Sequence, residues 1–331
     1  MKLATFAVDT PVGPVERIGA VDESTDTDDT PADEAALVDL TAAYGATLEA
    51  EGEPAPADLA RSHVPPEMIA FLERGDRAIA DAREALEYAA ETDAERGPGG
   101  AKLRYEPGEY RLLAPLPRPN SLRDCMAIEE HVENSMDGEI ADVWYDLPVY
   151  YKGNADGVVA PGETVQWPDY SEIMDYELEI AAVIGERGRD IPAEEAEKHI
   201  AGYTVFNDFS ARDIQGEEME GRLGPAKGKD FANGLGPYLV PREDIDVLSA
   251  PMTARIDGEV WSTGIVDEMY HSFADIIEHV SQSETLHPGD VIGSGTVGEG
   301  CGLELGQWLE DGDTVALEVE GIGTLEHTVI E

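Results

Sequence analysis

Glu177 and Glu179 stand two residues apart in Tyr176-Glu177-Leu178-Glu179-Ile180-Ala181-Ala182-Val183-Ile184. Alternation along a strand sends Leu178, Ile180, Ala182 and Ile184 to one face and the two carboxylates to the other, followed there by Ala181 and Val183. The acids are then roughly 7 Å apart. Bare like charges at that spacing repel, and a divalent cation between them relieves the repulsion. A solvent-facing Glu-x-Glu has the same spacing, and a chain with 71 acidic residues carries such pairs by chance. Asp208 follows the apolar run Thr204-Val205-Phe206, where a side chain projects into a site or opens a turn. In Gly224-Pro225-Ala226-Lys227-Gly228-Lys229, two of six lysines fall within three residues of a glycine-rich loop. They bring a cation to a site or neutralise Glu217, Glu218 and Glu220. Asp124 and His131 are seven apart, two turns along one face if the segment is helical.

The elements that position these groups belong to a chain of 331 residues, 42% of them hydrophobic, enough for a sizeable core. The formal net charge is −49. A polyanion partner needs a basic footprint, so nucleic acid and anionic membrane are excluded as main partners. Depleted lysine with dispersed acid points to a salt-accumulating, halophilic host, where screening makes self-repulsion cheap. Cys125 and Cys301 form no disulfide framework, and Cys125 reads as core. No apolar run reaches the roughly 18 residues of a membrane span, and residues 1–9 read as a short strand rather than a signal peptide. The expectation is a cytoplasmic protein.

Residues 1–116 read as an N-terminal accessory domain. Strands are expected at residues 3–8 and 15–21, and an acidic loop at 22–34. Leu37, Leu40 and Tyr44 share a helical spacing. Further helices are expected from Pro65-Pro66 and over Ile79, Ala82, Leu86 and Ala89, with Gly75-Asp76 breaking between them. Pro115, Pro117 and Pro119 mark the junction. Residues 117–331 are strand-rich, with strands ending at Val183-Ile184, over 202–206, and in a hairpin of 315–319 with 324–330. Helices are expected at Ser210, with Asp213 in capping-box spacing, and at Ser272, with Asp275. The fold class is α+β. Gly293-x-Gly295-x-x-Gly298 matches a dinucleotide fingerprint as text, but Gly300 and Gly302 fall where its helix should begin.

Together, and in this order, these elements resemble the fumarylacetoacetate hydrolase family from about Ser121 onward. The most specific stretch is Asn207-Asp208-Phe209-Ser210-Ala211-Arg212-Asp213-Ile214-Gln215, followed by Gly224-Pro225 and Gly228-Lys229. The resemblance implies a mixed, strongly curved β-sheet roll, usually homodimeric, beside the smaller N-terminal α+β domain. It implies metal ligands at Asp124, Glu177, Glu179 and Asp208. It implies a water-activating His131 oriented by Glu304 in Gly302-Leu303-Glu304-Leu305, and carbonyl-oxygen stabilisers at Gln215 and Lys229. Tyr151 and Thr296 match substrate-contacting positions.

Four carboxylates suit a hard divalent cation, with Mg²⁺ first and Mn²⁺ or Ca²⁺ as alternatives. The implied activity is metal-dependent hydrolysis of a C–C bond in a 1,3-diketo acid of the fumarylacetoacetate or acylpyruvate type. Two features depart from fumarylacetoacetases: Met126 stands where they carry an aromatic residue, and no arginine or lysine lies between His131 and Tyr151. A 2-keto-3-deoxy acid dehydratase or a 2-oxo-diacid isomerase or decarboxylase on the same scaffold is the alternative. A non-catalytic Ca²⁺-binding protein is the reading of another class.

Overall fold

The computed structural model describes residues 1–22, 31–135 and 139–331. Most of the expected acidic loop at 22–34 therefore lies outside the described residues. The first two strands are Leu3–Thr10 and Gly13–Val21, a hairpin paired along its whole length. Leu37 ends up in a three-residue strand, Leu37–Asp39, because it pairs with Val21. The helix begins only at Leu40, its first turn capped by the Asp39 carboxylate accepting from the Ala42 N–H. The helix Asp76–Glu91 starts where Gly75 breaks the preceding segment. The helix expected from Pro65-Pro66 is the short Met68–Leu72, and a further helix, Pro56–His63, precedes the prolines.

One mixed twelve-stranded sheet organises the molecule. Leu3–Thr10 pairs with Asn233–Pro241, which pairs with Ile200–Asn207, then Leu178–Ile184, Asp290–Gly293, Ser121–Cys125 and Tyr150–Gly153. The sheet thus runs across residue 116, the junction expected from the prolines. A five-stranded sheet, built on Met252–Ile256, Thr314–Val319 and Gly323–Ile330, packs on one face. The expected C-terminal hairpin is the pair Thr314–Val319 and Gly323–Ile330. The architecture is strand-rich α+β with mixed sheets.

Period-two alternation explains the layering. Leu178, Ile180, Ala182 and Ile184 enter a core shared with Val315, Leu317 and Leu325 of the second sheet. Ala181 and Val183 face the other way, into a core with Leu40, Tyr44, Phe71 and Ala82 of the N-terminal helices. The central strand is buried on both sides, so its acids are not on a solvent face.

Ser272 caps the helix Phe273–Ser281 in a capping box with Asp275, as its spacing predicts. Ser210 does not cap a helix. It lies in the short strand Ser210–Ala211, paired with Met174–Asp175, and its hydroxyl donates to the Asp208 carbonyl. The helix starts one pair later, at Arg212. Cys125 and Cys301 are both free and buried. Among the described residues, no helix is long and apolar enough to cross a membrane.

Candidate active site

Register brings the acids together. The antiparallel pairing of Leu178 with Asn207 and of Glu179 with Phe206 sets Glu177, Glu179 and Asp208 at adjoining ends of two strands. On the other side, Gly293 pairs with both Ala181 and Asp124, the second through the parallel ladder to Ser121–Cys125. A side chain at 293 would collide with Asp124 Oδ1 and come within 3.1 Å of Glu179 Oε2. The missing Cβ therefore lets Asp124 and Glu179 approach. One carboxylate oxygen from each of Asp124, Glu177, Glu179 and Asp208 lies within 4.8 Å of the others, and all four residues are buried. Asp124 is on a strand and His131 on the helix Glu129–Ser135, so they do not share one helical face as their spacing allowed.

Two basic side chains enter the cluster. Lys229 Nζ lies 2.6 Å from Glu177 Oε2 and 2.6 Å from Asp208 Oδ2. Arg212 Nη2 lies 2.8 Å from Glu177 Oε1. Burial alone would raise the Glu177 carboxyl, but Lys229 and Arg212 outweigh it and hold the group at about 2. At Asp124 the pull of Lys229 is too weak to offset burial, and at Glu179 the neighbouring carboxylates add to it. Burial, then the neighbouring carboxylates, pushes both well above the ordinary range. Burial takes Asp208 up to about 6 against the pull of Lys229. Asp124 Oδ1 and Asp208 Oδ1 are buried without a hydrogen-bond partner among the described residues. Unpartnered oxygens, an all-carboxylate donor set and the Gly293 cradle fit a hard divalent cation.

The lysine loop is anchored by its backbone. The Glu218 carboxylate accepts from the N–H groups of Ala226, Lys227 and Gly228. Glu218 therefore binds the loop chiefly as an amide acceptor, with the Lys227 charge adding to the pull that lowers its carboxyl. Gly228 packs on Gln215, where a Cβ would come within 2.7 Å, so the loop can approach the helix Arg212–Glu220. Gln215 Oε1 accepts from Arg212 Nη1 at 3.0 Å, leaving the amide NH₂ as its donor. Tyr151 OH donates to Asp208 Oδ2 at 2.6 Å, and Thr296 Oγ1 donates to Glu179 Oε1 at 3.2 Å. Tyr151 and Thr296 thus border the acids directly.

His131 and Glu304 form a separate pair. His131 Nδ1 lies 2.7 Å from Glu304 Oε1. Glu304 Oε2 also accepts from Asn134 Nδ2 at 2.9 Å and from the Glu299 N–H at 2.8 Å. Burial would raise this carboxyl, but the hydrogen bond from His131 and those from Asn134 and Glu299 prevail and lower it. Cys301 Sγ approaches Glu304 Oε1 at 3.4 Å. Both Glu304 oxygens are thereby engaged, Oε1 by the imidazole and Oε2 by two N–H donors.

The structure thus places all ten candidate residues around the two neighbouring groups. Three contributors are not assigned to this site by the sequence: Asn134, Asp175, a buried acid bound to Arg212, and Gly293, whose only local signal is the fingerprint-like glycine spacing. A cavity of about 650 Å³ lies elsewhere, lined by residues such as Phe71, Arg74, Arg187, Lys198 and Arg242. It contains none of the ten, so cavity size does not locate this chemistry.

The family profile described as fumarylacetoacetate (FAA) hydrolase C-terminal matches residues 122–330. Oxaloacetate tautomerase YisK of Bacillus subtilis is 31% identical over 274 residues, covering 80% of this chain and 87% of that protein. The crystal structure of 5-carboxymethyl-2-hydroxymuconate delta-isomerase from Mycobacterium smegmatis superposes with a TM-score of 0.65 at 25% identity, covering 100% of this chain and 99% of that one. Fumarylpyruvate hydrolase from Pseudomonas aeruginosa, solved with Mn²⁺ and pyruvate, gives a TM-score of 0.57 at 26% identity, covering 66% of this chain and 91% of that one.

Proposed function

Because the chain belongs to the fumarylacetoacetate hydrolase family, we propose that it is a divalent-cation-dependent enzyme that moves a proton beside the keto group of a small 2-oxo dicarboxylate. Its reaction is keto–enol tautomerisation of the oxaloacetate type. The observation that carries this reading is the His131–Glu304 pair, an oriented base next to a buried four-carboxylate cluster. Similarity to an oxaloacetate tautomerase over most of both chains supports the proton transfer. So does the lack of any basic residue between His131 and Tyr151 to hold a longer acyl carboxylate.

Asp124, Glu177, Glu179 and Asp208 would hold the cation, with Mg²⁺ the first expectation. When bound, it supplies charge stabilisation at the 2-oxo group. Glu304 holds the Nδ1–H of His131, so Nε2 presents the lone pair that takes the proton from carbon; the enolate oxygen then gains a proton to give the enol, and the reverse path loses that O–H proton and returns one from Nε2 to carbon. Lys229 and the Gln215 amide donate toward the substrate oxygen, where negative charge grows as that proton leaves. Tyr151 and Thr296 border the substrate. The working unit is a homodimer in the cytoplasm of a salt-adapted cell.

The second reading is hydrolysis of a C–C bond in an acylpyruvate. It is favoured by the same free Nε2, which can take a proton from water, and by the likeness to fumarylpyruvate hydrolase. One assay separates the two. The protein in concentrated KCl with Mg²⁺ is given oxaloacetate, acylpyruvates and 2-keto-3-deoxy acids, and products are weighed by mass spectrometry while enol absorbance is followed. Enzyme-dependent loss of enol at constant mass is expected. Two fragments summing to substrate plus water would replace tautomerisation by hydrolysis. Loss of water or carbon dioxide would point to a dehydratase or decarboxylase.

A further inference from the structure

We propose that Asp175 is a positioning residue that locks the cation-binding carboxylates and the His131–Glu304 pair into one arrangement; the inference rests on the functional reading above only for the roles of those two groups. Asp175 is fully buried and accepts from two separate parts of the site. Oδ2 accepts from Arg212 Nε at 2.7 Å and from the Leu303 N–H at 3.0 Å. Oδ1 accepts from the Gly302 N–H at 2.7 Å and from the Tyr176 N–H at 2.9 Å.

One branch runs to the acids. Arg212, gripped by Asp175, reaches Glu177 Oε1 at 2.8 Å and holds Gln215 through Nη1. The pairing of Asp175 with Ser210 also fixes the chain just after Asp208. The other branch runs to the base. Gly302 and Leu303 open the single helical turn Gly302–Leu305, which carries Glu304. The leading N–H groups of a helix have no acceptor within it, and here one carboxylate takes two of them. The turn sits directly on that carboxylate: a Cβ at Gly302 would come within 2.6 Å of Asp175 Oδ1 and would also meet the Gln307 carbonyl.

Every group bonded to Asp175 in this set is a donor, so the site requires an acceptor on both oxygens. An amide presents NH₂ either to Arg212 and Leu303, one donor from each branch, or to Gly302 and Tyr176, and in both orientations the charge that grips Arg212 is gone, so both branches weaken. Residues that orient metal ligands from behind typically cost 10–100-fold in metal affinity or activity when changed.

The test uses the full chain without substrate, so it stands apart from the activity assay. Mn²⁺ alone is titrated by calorimetry, and the imidazole ¹⁵N resonances of His131 are read in the cation-free protein, assigned by their absence in H131N. Asp175→Asn is expected to weaken Mn²⁺ binding about tenfold or more and to move the His131 signals away from the single Nδ1–H tautomer. Gly302→Ala pushes the helical turn off Asp175 and leaves the Arg212 branch intact. It should move the His131 signals with Mn²⁺ affinity held within about twofold, and it decides the matter if D175N does not fold. A folded D175N with both readouts unchanged would overturn the proposal, as would unmoved imidazole signals in G302A. Inactivity on every 2-oxo acid would instead sink the tautomerase reading and leave this result standing.

Discussion

Glu304 Oε1 lies 2.7 Å from His131 Nδ1, joining residues 173 apart in sequence. An ionised carboxylate only accepts, so Nδ1 carries the proton and Nε2 keeps the lone pair that the proposed reaction uses as its base. Replacing His131 by Asn should lower turnover by about 10²–10⁴-fold, the usual contribution of a positioned base. Mn²⁺ affinity should stay within about twofold, because the imidazole is not among the four carboxylates. Steady-state kinetics with calorimetry checks both. A tenfold loss of Mn²⁺ affinity in H131N would place the imidazole among the cation ligands.

Lys229 bridges Glu177 and Asp208 at 2.6 Å to each. Its ammonium draws on two of the four carboxylates proposed to hold a divalent cation, and the proposed reaction uses it as a donor to a substrate oxygen. Lys229→Met keeps the stem and removes the charge. Turnover should fall by at least about 10²-fold, the loss typical of a deleted oxyanion donor, while Mn²⁺ binds as tightly as before or more tightly. Weaker Mn²⁺ binding in K229M would show that the ammonium buttresses the acids instead.

The carboxylate cluster makes cation-free stability depend on pH. Asp208 is raised from 3.8 to about 6, so it binds its proton more tightly when folded. That contribution is complete below 3.8 and is lost as pH rises through about 6. Asp124 and Glu179 are shifted in the same direction. Glu177 runs the other way: its contribution is present above 4.5 and lost only as pH falls through about 2. With chelator present, Tm should therefore fall as pH rises from about 4 to about 6, and saturating Mn²⁺ should flatten the slope. The surface charge is common to both conditions. The difference between them should shrink in D208N, measured by thermal melts across the same range.

Local patterns were legible in sequence and long-range ones were not. The Ser272 cap and the 314–330 hairpin depend on neighbours a few residues away, and both form where the spacing predicts. The same spacing at Ser210 fails because pairing with Asp175 draws that residue into a strand. Glu177-x-Glu179 shows its alternation in sequence but not its burial, which comes from sheets and helices packed on both sides of Leu178–Ile184. The Asp124–His131 interval aligns the two on one face only if the segment is helical. Only the parallel ladder to Asp290–Gly293 shows that Asp124 is on a strand. Asp175 could not be singled out among 71 acids, because its meaning lies in contacts with Arg212, Gly302 and Leu303.

Gly293 supplies the most local test of the carboxylate cradle. It is buried at the end of Asp290–Gly293, facing Asp124 across one ladder and Ala181 across the other. A methyl group there collides with Asp124 Oδ1 and crowds Glu179 Oε2 at 3.1 Å, so at least one carboxylate must turn away. Glycine is not needed at this position for its backbone, which has no positive φ. Gly293→Ala should therefore fold, with a penalty of about 1–3 kcal/mol for overpacking. It should lose at least about tenfold in Mn²⁺ affinity, the scale expected when ligand orientation is disturbed. Calorimetry on the purified variant, with a thermal melt to establish folding, reads both quantities. Mn²⁺ binding at the parent's affinity in a folded G293A would mean that Asp124 and Glu179 do not meet at a shared cation.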